Sequence, residues 1–246
     1  MCLLIVLRGY HPSHPVLVGA NRDERIDRKS APPGLWIGEH RRLLSPRDRV
    51  AGGTWLAIDD RGRFAGITNL AAGPVLDAAP SRGLLPHLAL DQADLDTAAE
   101  VVKKRVAAAP HSGFQLVLCD GERTLVLRNE GGAVRCIDWP DPVLLVTNEH
   151  GPGDLELPGL ATATAQRSTV ELQLDALAPL LADRGGEGRH EVCKHGDRYG
   201  TVSSSLIAVP AGDPLELRWR YAAGPPDVTP YRNYGNLGRR LLPGDE

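Results

Sequence analysis

An apolar run, Leu3-Leu4-Ile5-Val6-Leu7, starts immediately after Cys2, and a second, Val16-Leu17-Val18-Gly19-Ala20, follows the turn-forming His11-Pro12-Ser13-His14. Two short apolar runs on either side of a Pro-containing turn predict antiparallel strands, which returns Asn21-Arg22-Asp23-Glu24 to the side of the chain terminus. If Met1 is removed, as the small side chain of Cys2 permits, one residue carries both a thiol and a free α-amine. An α-amine titrates near about 7.7 to 8.0, so in its neutral form it accepts the thiol proton directly or through a water, with no catalytic histidine required. A carboxylate of the returning motif would then hold and orient that amine. A strand cysteine is otherwise a small buried hydrophobe, and position 2 taken alone favours that reading. The charged motif on the return strand is what raises the chemical one.

The segment Arg25 to Gly34 ends in Pro32-Pro33-Gly34 and reads as a loop placed to line a pocket, with Leu35-Trp36-Ile37 as a short edge strand. Thr54–Asp59 and Arg63–Leu70 flank Asp60-Arg61-Gly62 and predict a hairpin. Ser81 caps a short helix with Pro86 in its first turn, and a second helix from Asp94 to Ala108 places Leu95, Ala98, Val101, Val102 and Val106 on one face. Phe114–Cys119, Thr124–Arg128, Ala133–Ile137 and Val143–Asn148 predict four strands of an antiparallel meander. A helical pattern from Thr164 to Ala182, interrupted near Pro179, precedes the loop Gly185-Gly186-Glu187-Gly188. Thr201–Val209 and Pro214–Tyr221 give a last strand pair, and the Pro- and Gly-rich tail from Gly224 wraps the surface. Strands, two helical blocks and strands again predict an α+β fold, with helices on the outer faces of antiparallel sheets, in one domain spanning residues 1–246.

The net charge of −3 and the absence of a long Lys/Arg run argue against a nucleic-acid partner. Cys2, Cys119, Cys136 and Cys193 show no C-x-x-C spacing and are too few for a disulfide framework, which predicts reduced thiols and a cytoplasmic location. Leu3–Leu7 is too short for a signal segment, and no run reaches membrane-spanning length. His11 with His14, and Cys193 with His195, lack a second pair at zinc-finger spacing, so these histidines read as surface groups and no metal is predicted. Ser203-Ser204-Ser205 lacks a G-x-S-x-G elbow, and the Gly-rich segments match neither a P-loop nor a dinucleotide fingerprint, so no cofactor is predicted.

Met1-Cys2, His14-Pro15, Asn21-Arg22-Asp23-Glu24, Gly52-Gly53-Thr54-Trp55, Gly62-Arg63-Phe64-Ala65 with Thr68-Asn69, Ser81-Arg82-Gly83, Thr147-Asn148 and Tyr199-Gly200-Thr201 with Ser203-Ser204 together resemble the NRDE family, also called the transport and Golgi organisation family. That family is similar to the N-terminal nucleophile hydrolases of the penicillin V acylase and bile salt hydrolase branch, which implies a four-layer αββα sandwich. The resemblance implies Cys2 as nucleophile and Asp23 as the aspartate that binds its amine. It implies Asn69 as the residue closing a hairpin beside the nucleophile, and Asn148 as an oxyanion-hole asparagine. Bile salt hydrolases resemble this segment but carry an arginine where Ala20 stands; Arg22, two residues on, returns to the same strand face if the strand continues that far. Val202 occupies a position where many members carry arginine, which leaves Arg198 as the candidate cation.

The implied reaction is acyl transfer on a small acylated molecule through a thioester, breaking or forming a C–N bond. Asp23 also reads as a turn cap, and Asn69 and Asn148 as strand-end turns; their joint occurrence after Cys2 favours catalysis. Trp55 reads as packing or pocket wall, and Trp36, in the predicted loop, as a pocket wall. The alternative is a binding or trafficking protein for a lipid, an acyl-CoA or haem, which the family name allows.

Overall fold

Alternation along the first two strands generates two cores at once. The computed structural model describes residues 2–186 and 190–243. In β1 (Leu3–Arg8), Leu4 and Val6 enter one core while Leu3, Ile5 and Leu7 enter another. β2 (Val16–Arg25) pairs antiparallel with Leu4 opposite Ala20, so Val16, Val18 and Ala20 join the first core and Leu17 the second. Side chains two residues apart share a face, and both faces here are apolar because both are covered.

The chain continues through β3 (Ser30–Ile37), β4 (Arg42–Asp48), β5 (Leu56–Asp59), β6 (Phe64–Asn69), α1 (Leu85–Leu90), α2 (Leu95–Ala108), β7 (Phe114–Cys119), β8 (Thr124–Asn129) and β9 (Arg135–Asp138). Then follow β10 (Val143–Thr147), α3 (Leu160–Thr164), α4 (Val170–Leu181), β11 (Tyr199–Val209), β12 (Arg218–Ala222) and β13 (Arg232–Asn233). The first sheet has the order β10-β1-β2-β11-β12-β13 and the second β3-β4-β5-β6-β7-β8-β9. A core containing Phe64, Val117, Ile207 and Trp219 lies between the sheets. α1 and α2 cover the second sheet through Leu85, Leu90, Ala98 and Val102, and α4 covers the first through Leu174, Leu177 and Leu181. The result is the four-layer αββα sandwich. Each large apolar side chain fully buried in these layers contributes about 1.5–3 kcal/mol. Among the described residues, no helix is long and apolar enough to cross a membrane.

Three expectations need correction. β10 does not extend the meander of β7, β8 and β9 but pairs with β1 in the other sheet, with Leu3 opposite Thr147. Pro140 and Pro142, which offer no N–H to a ladder, stand at the crossing, and Gln115 Nε2 stitches the two sheets by donating to Thr147 O at 2.6 Å. The loop expected over Arg25–Gly34 is only four residues long, because Pro32 and Pro33 sit inside β3. β3 is an edge strand, its register slips between Ala31 and Gly34, and an edge tolerates missing donors. α4 runs through Pro179, which lies in its last turn where few bonds remain to be lost.

Candidate active site

Cys2 precedes β1, and the β1–β2 register sets it beside the end of β2, where Arg22 and Asp23 are buried. Its half-buried Sγ donates to the main-chain oxygen of Asp23 at 3.5 Å. Burial, and next the Asp23 charge, push the Cys2 thiol up to about 11. Burial likewise raises the Asp23 carboxyl. β11 runs antiparallel to β2 and supplies two groups to Asp23: Thr201 Oγ1 donates to Oδ1 at 2.7 Å, and Tyr199 OH donates to the main-chain oxygen at 2.8 Å. The register slips between Thr201 and Ser203, so Val202 is the extra residue of a bulge and Thr201 keeps its place opposite Asp23. Asn21, the first residue of the charged motif, serves the fold: its Nδ2 donates to Leu181 O at 2.8 Å and Val192 O at 3.2 Å.

Cys2, Arg22 and Asp23 line a cavity of about 580 Å³ together with Trp55, Asn69 and Arg82. Ile67 and Leu76 add apolar wall, and Glu24, Arg28 and Asp48 charged wall. Arg28 is neutralised by Asp48 at 2.6 Å and stands 3.6 Å from Glu24. Arg22 stands 3.6 Å from the same Glu24, with its guanidinium 4.4 Å above the centre of the Trp55 ring. This stacking holds a buried cation in place at an apolar wall. Arg82 donates to Gly113 O at 2.9 Å and has no carboxylate within ion-pair distance among the described residues. Burial lowers its pKa, yet an arginine remains charged. The cavity therefore offers a thiol, a buried carboxylate and one arginine, Arg82, with no carboxylate within ion-pair distance among the described residues.

Of the residues expected from sequence, Cys2, Arg22, Asp23, Trp55 and Asn69 share this cavity. Asn148 follows β10, next to the Leu3–Thr147 pair and so on the strand beside Cys2, and its main-chain oxygen accepts from Ala71 N at 2.7 Å. That bond ties it to the loop after Asn69, although it is not among the lining residues; its Oδ1 is buried and accepts no hydrogen bond among the described residues. Trp36 lies elsewhere: it stacks on His87 at 4.3 Å between ring centres and packs on the α1/α2 core. Arg198 is exposed and outside the cavity wall; its main-chain oxygen accepts from Ile26 N at 3.1 Å. Met1 lies outside the described residues.

Sequence reading passed over Arg82, Arg28 and Thr201 as site residues, although Ser81-Arg82-Gly83 and Tyr199-Gly200-Thr201 stood out as motifs. Two groups among the described residues have metal-ligating side chains in reach of one another: Cys193 with His195 and Asp227, and Glu39 with His40 and Asp91. The Asp91 carboxylate of the second is already occupied, accepting from the main-chain N–H groups of Glu39, His40 and Arg41.

The family model described as Transport and Golgi organisation 2 matches residues 1–154. The human Transport and Golgi organization protein 2 homolog is 29% identical over 256 residues, covering 86% of this chain and 89% of its own length. The mouse Transport and Golgi organization 2 homolog is 29% identical over 163 residues, or 61% of this chain and 56% of its own. Among solved structures, a mutant conjugated bile acid hydrolase from Clostridium perfringens superposes with a TM-score of 0.55 at 10% identity, covering 95% of this chain and 96% of that one. The Caenorhabditis elegans ortholog of N-acylethanolamine-hydrolyzing acid amidase gives 0.53 at 11% identity, covering 84% and 92%. At such identities the structural likeness is one of fold.

Proposed function

The chain belongs to the Transport and Golgi organisation 2 family, and from that premise we propose that it is a cysteine amidohydrolase or acyltransferase of the N-terminal nucleophile type, acting on a small acylated molecule. The observation that carries this reading is the meeting of Cys2 and Asp23 on the wall of one cavity, with Asp23 fixed by Thr201. Met1 is removed in this proposal, so that the amine and the thiol belong to the same residue. The thiol loses its proton to that amine as sulfur attacks the acyl carbonyl. The resulting oxyanion accepts hydrogen bonds from Asn69 and Asn148, and the C–N bond breaks as the amine returns the proton to the leaving nitrogen. Water or another amine then resolves the thioester.

The elevated Cys2 pKa bears on the first step. With Met1 in place, a thiol pushed up to about 11 is thiolate in only about one molecule in ten thousand at neutral pH; removal of Met1 supplies the amine that takes the proton as sulfur attacks. Arg22 and Arg82 favour an acylated substrate that carries an anionic group. Four free thiols support a reducing, cytoplasmic setting, and we treat residues 1–246 as one domain because the first sheet draws strands from β1 to β13.

The second reading, a binding or trafficking protein for a lipid, acyl-CoA or haem, draws on the names of the relatives and on the unactivated thiol. Intact mass before and after limiting iodoacetamide, with peptide mapping, separates the two. Loss of Met1 with label on Cys2 ahead of Cys119, Cys136 and Cys193, and turnover of acylated amines abolished in Cys2→Ala, is the result expected of the enzyme. Retained Met1 with an inert Cys2, or a copurified ligand and no turnover, would overturn it in favour of the binder.

A further inference from the structure

Cys193 and His195, two residues apart, meet the side chain of Asp227, more than thirty residues on, outside the Cys2 cavity. Cys193 Sγ donates to Asp227 Oδ1 at 3.2 Å, and His195 Nε2 lies 2.9 Å from Oδ1 and 3.9 Å from the sulfur. From this convergence we propose that Cys193, His195 and Asp227 form a zinc-binding site.

A tetrahedral zinc with its usual sulfur, nitrogen and oxygen bond lengths holds these three donor atoms about 3.3–3.6 Å apart. The observed separations of 2.9, 3.2 and 3.9 Å fall on both sides of that range, so shifts of a few tenths of an ångström admit the ion. Thiolate, imidazole and carboxylate together suit a borderline-soft cation, and the two anionic ligands neutralise its double charge. A thiol–imidazole nucleophile fits less well, because the sulfur is hydrogen-bonded to the carboxylate and stands farther from the ring that would have to be its base.

The ligands sit on pinned backbone. Val192 N and Cys193 N both donate to Asp183 O, at 3.0 and 2.8 Å, and Lys194 N donates to Thr201 Oγ1 at 2.9 Å. Asp227 lies in a turn closed by Val228 N and Thr229 N on Pro225 O. Such support holds a site in shape before its ion arrives. Arg184 approaches the other carboxylate oxygen, Oδ2, at 3.8 Å; His195 Nε2 lies 3.0 Å from Oδ2 as well, while Oδ1 is the oxygen within hydrogen-bond distance of both Cys193 Sγ and His195 Nε2 and is the one offered to the ion. His195 also lines a hollow of about 620 Å³ with Ile26, Lys194 and Pro225, which opens the histidine side of the site toward solvent. Thr201 joins this site to the first, since the hydroxyl that accepts from Lys194 N donates to Asp23.

The full chain, stripped with a chelator and titrated with cobalt(II) and then zinc(II), provides the test by optical spectroscopy. One equivalent of cobalt is expected, with a thiolate-to-metal charge-transfer band and ligand-field bands of four-coordinate intensity, both displaced by zinc. His195→Ala, at an exposed ring, and Asp227→Asn should each weaken binding by at least about 100-fold, the upper end of what loss of even an outer-shell partner costs, with circular dichroism unchanged. His40→Ala, in the Glu39–His40–Asp91 group, should leave it intact. Absence of the charge-transfer band, or binding that survives His195→Ala or disappears with His40→Ala, overturns the proposal.

Discussion

Gly53 and Gly83 meet backbone to backbone at the cavity wall: a Cβ on Gly53 would stand 2.8 Å from Gly83 Cα, and one on Gly83 would stand 2.9 Å from Thr54 O. Thr54 N donates to Gly83 O at 2.8 Å across this contact. Two motifs about thirty residues apart, Gly52-Gly53-Thr54-Trp55 and Ser81-Arg82-Gly83, are thus one piece of wall that presents Trp55 and Arg82 to the same cavity.

Gly53→Ala should therefore displace the Ser81–Gly83 turn. Overpacking of this kind costs about 1–3 kcal/mol, against a gain of about 0.4–1 kcal/mol from a stiffer unfolded chain. A lowered denaturation midpoint together with weaker binding of anionic ligands is expected; an unchanged midpoint would show that the wall yields freely.

The strands next to Cys2 were legible because Leu3–Leu7 and Val16–Ala20 are short apolar runs bounded by turn residues, and the α2 face was legible from Leu95, Ala98, Val102 and Val106. Pro140 and Pro142 announce the end of a ladder but not which sheet edge the next strand joins, so β10 was assigned to the wrong sheet. Trp36 looked like pocket wall because prolines precede it; only the packing of α1, which brings His87 beneath the ring, shows what it covers. Arg82 and Asp227 depend on contacts between distant segments, Gly53 with Gly83 and Cys193 with Asp227, that no local spacing encodes.

Asn148→Ala should lower turnover by about 100- to 1000-fold, the usual effect of losing one oxyanion donor, with the fold retained. The side chain is half-buried, while the bond that ties this position to Ala71 uses main-chain oxygen and survives the change. Asn69→Ala, at an exposed strand end, should act in the same direction. Near-normal turnover in Asn148→Ala, measured beside wild type at equal circular dichroism, would remove it from the mechanism.

His87 should make stability fall in mild acid. Its ring is buried against the second sheet, stacked on Trp36 of β3 with Ser45 Oγ of β4 2.9 Å from Nε2, and burial first, then Arg47, lower its pKa from 6.5 to about 4. Above pH 6.5 the ring is neutral in both folded and unfolded chains, so its contribution is fully present. As pH falls below 6.5 the unfolded state takes up the proton first, and stability is lost down to the folded value near 4, by about 3 kcal/mol in total. Denaturant titrations at intervals across this window should show that slope in wild type and a shallower one in His87→Phe, which keeps an aromatic ring against Trp36. Equal slopes would assign the acid sensitivity to other groups.

Cys2 should betray its environment in the pH dependence of alkylation. In protein that retains Met1, the rate at Cys2 should climb roughly tenfold per pH unit toward about 11, because only the thiolate reacts. Removal of Met1 places a neutral amine beside the sulfur, and the rate should then level off near the amine's own titration, about 7.7 to 8.0. Asp23→Asn withdraws the negative charge that opposes thiolate formation, so in the Met1-retaining form it should shift the curve to lower pH. In the Met1-free form it also removes the group that holds the amine, and turnover should fall even though the thiol is easier to ionise. If alkylation rises and turnover stays unchanged, Asp23 acts on the sulfur only through its charge and does not orient the base.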